Sequence, residues 1–348
     1  MPRHGPAQPT CYMCGSSGSL RYRDVGDRLF GVAGCSTFRQ CDNSSCRLMW
    51  LDPRTIEADL PELYQNYQTH RAIPSLQRRR FARLREGAKE ALLAEGFGYR
   101  ELNPNKPFHS TGKILARSRF LRAKLGRSIM WLNGQWRGRL LDVGCGNGAF
   151  LGRMRTFGWD GIGVDFDAAA VRVARDHGLE AHCGRLDDLG LPEAWFDVIT
   201  MAHVIEHVPD PRRTFELCAR LLKPGGRLVV VTPNANGLGH SWFGRNWFAL
   251  DPPRHLFIFT PPSLAACAEA AGLAVTKSWT EAGSAAAVAA KSRIIQKLGR
   301  IENYDQSMPL PILARCFGAL FGSAEYFLSG WRPVGEEIAM IAGKPGNQ

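Results

Sequence analysis

Long apolar runs are missing from this 348-residue chain, although 45% of its residues are hydrophobic. No stretch reaches the roughly 20 uninterrupted apolar residues that a membrane-spanning helix needs. The opening residues, MPRHGPAQPT, also lack the apolar core of a secretory signal peptide. We therefore expect a soluble cytoplasmic protein, peripheral to a membrane at most.

Acidic residues are scarce in one segment. Residues 71–139 hold 17 Lys and Arg against 4 Asp and Glu, whereas the counts are 7 against 7 before this segment and 20 against 21 after it. Arginines interleaved with large apolar residues fit an anionic membrane surface or a phosphorylated substrate, and a basic segment also suits nucleic acid. A solvated basic face without a partner is the alternative. We expect two amphipathic helices here, over residues 76–95 and 113–132.

Disulfides are not expected, because no export signal directs the ten cysteines to an oxidising compartment. Two pairs are closely spaced, Cys11-x-x-Cys14 and Cys41-x-x-x-x-Cys46. Such pairs on separate turns suit one tetrahedral zinc ion held by four thiolates. The alternatives are four small buried cysteines, or Cys35 in place of one ligand. The remaining cysteines lie in apolar surroundings and are predicted to be core residues: Cys145, Cys183, Cys218, Cys267 and Cys316.

From residue 139 onward, short apolar runs alternate with segments of helical period. The runs LLDV, IGVDF, FDVITMA and RLVVVTP predict strands, and their alternation with helices predicts a parallel sheet covered on both faces. A helix over 263–271 and strands over 273–280 and 337–343 follow. About fifty residues separate the last two strands, more than an ordinary loop. They include PLPILARCFGALFGSAEYFLSGW, which favours a lid or a dimer contact over a membrane attachment.

The predicted division has five parts. Residues 1–68 form the cysteine-rich unit and a connector, 69–138 the basic helical segment and 139–282 the core domain. Residues 283–334 form the helical insertion or lid, and 335–348 form a final core strand and tail.

The segment LLDVGCGNGAF has an apolar strand, an acidic residue and then three glycines that open a helix. Gly144 and Gly146 allow a tight turn and a close approach of a nucleotide-like ligand to the backbone. The alternatives are a purely steric turn, or a dinucleotide oxidoreductase, because Ala149 completes G-x-G-x-x-A. Asp142 argues against the latter, because a carboxylate repels a pyrophosphate and suits the ammonium group of S-adenosylmethionine.

Asp165 ends the next apolar run, about twenty residues beyond the glycine loop, where a carboxylate can accept hydrogen bonds from both ribose hydroxyls. The alternative is a cap for the helix that starts near Ala168. We favour the ribose role because the glycine loop lies at the expected distance.

The chain resembles the class I methyltransferase superfamily, in the branch that includes the ubiquinone-biosynthesis O-methyltransferases. The resemblance covers about residues 140–273 through LLDVGCGNG, GVD, FDVITMAHVIEHV, LLKPGGRLVVVTPN and PPRHLFIFTPPSL. It implies an α/β, Rossmann-like seven-stranded sheet with an antiparallel last strand, a turn at KPGG, and S-adenosylmethionine as cofactor. GRLDDL departs from the commoner G-D-x-E pattern at the adenine end. The resemblance implies that Gly144, Gly146 and Asp165 bind the cofactor and that Arg185, Leu186 and Asp187 border its adenine. The predicted cofactor-binding residues also include Asp142, Cys145, Phe166 and Ala202.

The N-terminal part resembles the zinc-ribbon extension of a set of bacterial methyltransferases. CRLMWLDPRTIEADLPELYQNY has the same order of knuckle, apolar strand, x-P turn and Leu/Tyr helix. The resemblance implies a structural or substrate-facing zinc held by Cys11, Cys14, Cys41 and Cys46.

Catalytic roles are predicted for His203, Glu206 and His207 in MAHVIEHV and for His255 in PPRHLFIF. A helix that begins at His203 would place His203 and His207 on one face beside Glu206, a set that suits a second divalent metal. Ubiquinone-type and small-RNA-terminus methyltransferases resemble this stretch with E-x-x-E-H, which holds a metal that positions acceptor hydroxyls. Here histidine stands first. The alternatives are direct proton removal by His203 or His255, and a bracing role for Glu206 and His207.

The methyl acceptor has three candidate classes: a small, sugar or lipid-linked molecule, a nucleic acid, or a protein. Resemblance to ribbon-bearing methyltransferases of surface-polysaccharide and natural-product pathways favours the first class, with a hydroxyl as acceptor and an anionic membrane as peripheral contact. A cofactor-binding adaptor without catalysis is the non-enzymatic alternative, which the intact Gly144, Gly146 and Asp165 disfavour.

Overall fold

The computed structural model describes residue 3 and residues 5–60, 63, 80–100, 114, 117–302, 304 and 309–346. The chain forms two compact units, Met1–Gln68 with Met201–Gln348, and Thr69–Thr200. The five-part division expected from the sequence stays a prediction. Much of the basic segment, including residues 71–79 and 101–113, lies outside the described residues.

The strands and helices are numbered in the order in which they occur along the chain. The strands are β1 (Gly18–Gly26), β2 (Cys35–Cys41), β3 (Met49–Leu51), β4 (Arg139–Val143), β5 (Asp160–Asp165), β6 (Glu180–Cys183), β7 (Phe196–Ala202), β8 (Leu222–Pro233), β9 (Phe257–Ile258), β10 (Ala274–Glu281) and β11 (Glu337–Gly343). The helices are α1 (Arg80–Phe97), α2 (Arg119–Ser128), α3 (Ala149–Thr156), α4 (Ala168–Asp176), α5 (Pro211–Leu221), α6 (Leu238–Phe243), α7 (Pro261–Ala270), α8 (Ala285–Leu298) and α9 (Ile312–Ser329).

The larger sheet has seven strands in the order β10-β11-β8-β7-β4-β5-β6. Strands β4, β5 and β6 are parallel, and β11 is antiparallel to both β8 and β10. The predicted α/β fold with an antiparallel last strand is confirmed. Parallel strands end at one edge of a sheet, so the segments that follow β4, β5 and β6 share that edge.

The predicted turn at KPGG is wrong, because residues 223–226 lie inside β8. The Gly225 N–H donates to the Lys344 carbonyl (2.9 Å), and the Lys344 N–H donates to the Gly226 carbonyl (2.9 Å). These bonds extend the ladder between β8 and β11 past the end of β11. A pairing partner far along the chain therefore converted a turn sequence into strand.

The cysteine-rich part forms a second sheet, β1-β2-β3-β9, and all its pairs are antiparallel. Its third strand pairs with β9 through Met49 opposite Ile258 and Trp50 opposite Phe257. Both belong to the same compact unit. We call the part that carries β1, β2, β3 and the four paired cysteines the ribbon. Its sheet thus includes one strand, β9, from the second half of the chain.

The insertion before β11 contains α8 and α9, which pack against each other through small residues. A Cβ at Gly318 would lie 2.2 Å from the Ala286 carbonyl oxygen, and one at Gly322 would lie 2.8 Å from the Ala286 nitrogen. Glycine is therefore required for this close approach. Within the described residues, every helix is too short or too polar to cross a bilayer.

Candidate cofactor and metal sites

The glycine loop leaves the end of β4 with a left-handed backbone at Gly144 (φ 76°), Gly146 (φ 51°) and Gly148 (φ 78°). A Cβ at Gly148 would lie 2.5 Å from Leu179 Cδ1, so that glycine serves helix packing. A Cβ at Gly146 would meet no described atom within 4 Å. The space beside Gly146 is therefore open, as a ligand that approaches the backbone requires.

Asp142 is a buried carboxylate directly before this loop. Its Oδ1 accepts a hydrogen bond from the Thr200 hydroxyl (2.7 Å), and 5% of the residue is exposed. Burial and, to a smaller extent, the charge of Asp165 raise the pKa of Asp142, the hydrogen bond from Thr200 lowers it, and the resulting pKa is about 7. A cation that binds here would favour the ionised form.

Asp165 ends β5 and ties its end to the glycine loop. Its Oδ2 accepts from the Gly146 N–H (2.8 Å), and its Oδ1 accepts from the Asp167 N–H (2.9 Å). Carboxylate oxygens have further lone pairs, so these bonds are compatible with ribose contacts. The cap of α4 is Asp167, whose side chain accepts from Ala169 and Ala170. The helix-cap alternative for Asp165 is therefore wrong.

The other predicted cofactor residues follow the ends of neighbouring strands. Cys145 is buried in the glycine loop, and Phe166, just after β5, is 49% exposed. Leu186 and Asp187 form the turn after β6, where Asp187 accepts from the Arg185 guanidinium (3.2 Å). The exposed Ala202 ends β7. Within Thr69–Thr200, the structure thus gathers the predicted residues at one edge of β4, β5 and β6.

Glu206, His207 and His255 form a separate cluster, with one ligand atom of each within 4.8 Å of the others. The Nδ1–H of His207 donates to the Arg254 carbonyl (3.1 Å), and that of His255 donates to the Ala249 carbonyl (2.8 Å). A neutral imidazole that donates through Nδ1 carries its lone pair on Nε2. Burial, together with the charge of His255, lowers the pKa of His207 to about 4.

Glu206 is fully buried and doubly anchored. Its Oε2 accepts from the Thr232 hydroxyl (2.9 Å), and its Oε1 accepts from His203 Nδ1 (3.2 Å). Burial alone would raise the pKa of Glu206, but the hydrogen bond and charge of His203 lower it to about 2. A buried ionised carboxylate beside the imidazoles of His207 and His255 is a donor set for a divalent metal.

The predicted helix at His203 is wrong. Residues 203–210 form turns, and α5 begins only at Pro211, after a cap in which Asp210 accepts from the Arg213 N–H (3.0 Å). Proline disfavours helical geometry in the residue before it, which stops the helix from extending back through VPDP. His203 instead has a φ of 55° and lies between Glu206 and Glu337, 3.2 Å from each carboxylate.

His203 is therefore outside the predicted metal-binding face. Burial would lower its pKa, but the hydrogen bonds and charges of Glu206 and Glu337 raise it. An imidazolium bound to two carboxylates is a poor metal ligand and a poor base, because both ring nitrogens carry protons. The cluster forms without His203. The Leu256 and Phe257 N–H groups both donate to the Glu206 carbonyl (2.8 and 3.1 Å), and these bonds hold the preceding residue, His255, close to Glu206.

The four predicted thiols form the second cluster, with all four sulfurs within 4.8 Å of one another. Cys11 Sγ lies 3.7 Å from Cys46 Sγ, and Cys14 Sγ lies 3.4 Å from Cys41 Sγ. Zn–S bonds of about 2.3 Å in a tetrahedron separate the sulfurs by about 3.8 Å. The four residues therefore fit one zinc ion.

Other cysteines divide into two groups. Cys35 is exposed and outside the cluster, so it replaces none of the four. Cys145, Cys218 and Cys267 are buried as predicted. The prediction is wrong for Cys183, which is exposed at the end of the edge strand β6, and for Cys316, which is exposed on α9.

A family model of the methyltransferase domain matches residues 100–278, slightly more than half of the chain. The chain belongs to this methyltransferase family. The predicted resemblance to class I S-adenosylmethionine-dependent methyltransferases is confirmed.

Curated relatives match only part of this chain. The chain is 37% identical over 138 residues to the ubiquinone biosynthesis O-methyltransferase of Xanthomonas oryzae pv. oryzae (strain PXO99A). The matched segment covers 38% of this chain and 54% of the relative. The chain is also 40% identical over 105 residues to the enzyme of the same name from Alkalilimnicola ehrlichii, covering 28% and 42%. The chain thus spans about half the length of the curated relatives it matches.

Among solved structures, the methyltransferase is similar to a SAM-dependent methyltransferase from Archaeoglobus fulgidus. The TM-score is 0.42 and the identity 22%, over 69% of this chain and 100% of that one.

Sequence reasoning missed three residues that anchor the candidate sites. Thr200 lies in an apolar strand run, Thr232 in another, and Glu337 opens the final strand. Each pairs with a carboxylate or imidazole far along the chain or across a strand. A polar residue inside an apolar run was the one available hint, because a buried hydroxyl requires a partner.

Proposed function

We propose that this methyltransferase transfers the methyl group of S-adenosylmethionine to a hydroxyl of a small, sugar or lipid-linked anionic acceptor. The observation that carries the proposal is the cluster of Glu206, His207 and His255, in which Glu206 and His255 are buried and His207 is half-buried. The curated relatives are named O-methyltransferases, which supports a hydroxyl as the acceptor group.

The donor half of the proposal rests on residues 142–187. Asp142 accepts the ammonium group of the cofactor, Gly144 and Gly146 allow its close approach, and Asp165 accepts its ribose hydroxyls. Phe166, Leu186 and Asp187 border the adenine. The raised pKa of Asp142 supports the first role, because a buried carboxyl of this kind gains most from a cationic partner.

The acceptor half rests on the histidine cluster. A divalent ion held by Glu206, His207 and His255 would lower the pKa of an acceptor hydroxyl and orient it. The chain supports such an ion by fixing both imidazoles through Nδ1–H bonds to carbonyl oxygens, the usual arrangement of metal-ligating histidines. Without an ion, His255 is positioned to take the proton itself, since its Nε2 carries the lone pair.

The cysteine cluster has a different role in the proposal. Cys11, Cys14, Cys41 and Cys46 hold a structural zinc ion and take no part in methyl transfer. Two of the four thiols are in the turn that carries Tyr12, whose hydroxyl bonds the Asp210 carboxylate at the start of α5. The zinc therefore stabilises the turn that supports the segment after His207.

The test is transfer of labelled methyl groups to separated lipid, polysaccharide, RNA and protein fractions. We expect label in lipid or polysaccharide, and we expect His207→Ala and His255→Ala to lower turnover by about a hundredfold or more. The affinity for S-adenosylmethionine should change little. His177→Ala, at an exposed histidine that ends α4, is the matched control. Label confined to RNA would show that the acceptor is a nucleic acid. Wild-type turnover in both variants would refute the catalytic role of His207 and His255.

A further inference from the structure

Helix α9 is apolar on two opposite faces. One face carries Ala314, Gly318 and Gly322, which are buried, and it packs on α8. The opposite face carries Leu313, Leu320 and Phe327, each seven residues after the last and therefore nearly in line. These three side chains are 82%, 75% and 69% exposed. An apolar stripe of this kind normally faces a core or a lipid phase.

Further exposed apolar residues lie at both ends of α9. Ile312 begins the helix, and Trp331 follows it with 82% of its surface exposed. Trp242 of α6 is also exposed, and its ring lies 5.9 Å from that of Phe321. Exposed apolar clusters of this size mark interaction surfaces on soluble proteins. We call this surface the outer face: Trp242, Ile312, Leu313, Leu320, Phe327 and Trp331.

The exposed charges around the outer face are positive. Lys297 ends α8, Arg315 lies in the first turn of α9 and Arg332 follows Trp331, and all three are exposed. Among the described residues of 283–334, the acidic side chains are Glu302, which pairs with Arg300 (3.2 Å), and the fully buried Glu325. An apolar surface bordered by cations, with tryptophans at its edge, complements an anionic lipid surface.

We propose that the outer face binds the surface of an anionic lipid bilayer, with Leu320 and Phe327 inserted among the lipids. A second copy of the chain is a poorer occupant, because it would bring a second set of cations and, among the described residues of 283–334, no unpaired exposed carboxylate to complement them. The described helices cannot span a bilayer, so the contact is peripheral. This surface is independent of which acceptor is methylated, and it goes beyond the proposed function.

Vesicle sedimentation with the full chain tests the proposal. We expect binding to vesicles of phosphatidylcholine mixed with phosphatidylglycerol, and weaker binding to phosphatidylcholine alone. Leu320→Gln with Phe327→Gln should weaken binding at least about tenfold without a change in charge, because two inserted apolar side chains are lost. The matched control is Ala274→Gln with Ser278→Gln, on the exposed side of β10.

Three outcomes would overturn the proposal: no vesicle binding by the wild-type chain, equal binding by the α9 variant, or a wild-type dimer that only the α9 variant dissociates. Circular dichroism and thermal unfolding verify that both variants fold. The wild-type affinity for S-adenosylmethionine, measured without vesicles, should be kept by both variants. Vesicle binding can therefore fail while the proposed function stands.

Discussion

The two candidate metal clusters lie in one compact unit but are assembled in opposite ways. The four thiols come from two short-spaced pairs, and each pair is held by its own turn, as when the Gly15 N–H donates to the Cys11 carbonyl (2.9 Å). Glu206 and His207 meet His255 only because the Leu256 and Phe257 N–H groups bond the Glu206 carbonyl. Spacing therefore identifies a locally built site, whereas a site built by distant pairing needs the fold.

A buried ion network connects the surroundings of the two clusters. The Arg254 guanidinium bonds both oxygens of Asp27, in the loop after β1, at 2.8 and 2.9 Å. It also bonds both oxygens of Asp251 at 3.1 Å. The carbonyl of Arg254 accepts the Nδ1–H of His207. The ribbon thus fixes the segment that orients the histidines.

The largest effect is expected from the thiols. Cys11→Ser with Cys14→Ser should remove the zinc ion held by this site, about one per chain, and it should lower the unfolding temperature markedly, because a structural zinc contributes directly to folding. Metal analysis and calorimetry provide the two measurements. Cys35→Ser with Cys316→Ser, both exposed outside the cluster, is the control. Unchanged zinc in the first variant would remove the site from the ribbon.

The next effect is expected from Arg254→Met. It should destabilise the chain by about 3–5 kcal/mol, because it leaves Asp27 and Asp251 buried without their cation. Denaturant unfolding measures the loss, and adding Asp27→Asn should recover part of it. Arg245→Met, at an exposed arginine that bonds the Arg23 and Asp24 carbonyls of β1, should cost less than about 1 kcal/mol. Equal losses in the two variants would show that the buried network has no special role.

Local sequence patterns predicted much of the fold. The final strand has the predicted bounds, Glu337–Gly343, and the glycine loop leaves β4 as LLDVGCGNG required. The failures occur where a distant partner decides the local structure: KPGG became strand through Lys344, and His203 turned toward Glu337. Among the site residues, Cys11 and Cys46 were predictable from spacing alone. The separation of His203 from His207 was not, because nothing in MAHVIEHV identifies Glu337.

The smallest effect is expected at Asp142. Unlike the two metal clusters, this site has a charge that depends on pH near neutrality. Its pKa is raised to about 7, so the carboxyl is ionised above that pH and protonated below it. The affinity for S-adenosylmethionine should therefore fall about tenfold as pH decreases from 8 to 6, because the ammonium group loses its anion. Calorimetric titration at both pH values measures this change. Asp142→Asn should bind weakly with little pH dependence, and a wild-type affinity independent of pH would refute the role.

The pairing of β3 with β9 decides whether the ribbon can be separated from the rest of the chain. Phe257, Ile258 and Phe259 are fully buried, and β3 covers β9 through backbone hydrogen bonds. A chain that lacked the ribbon would expose an unpaired, strongly apolar strand edge, the kind of edge that recruits strands from other molecules. The ribbon therefore protects the edge of β9, and we expect a chain without the ribbon to aggregate before any loss of methyl transfer is seen.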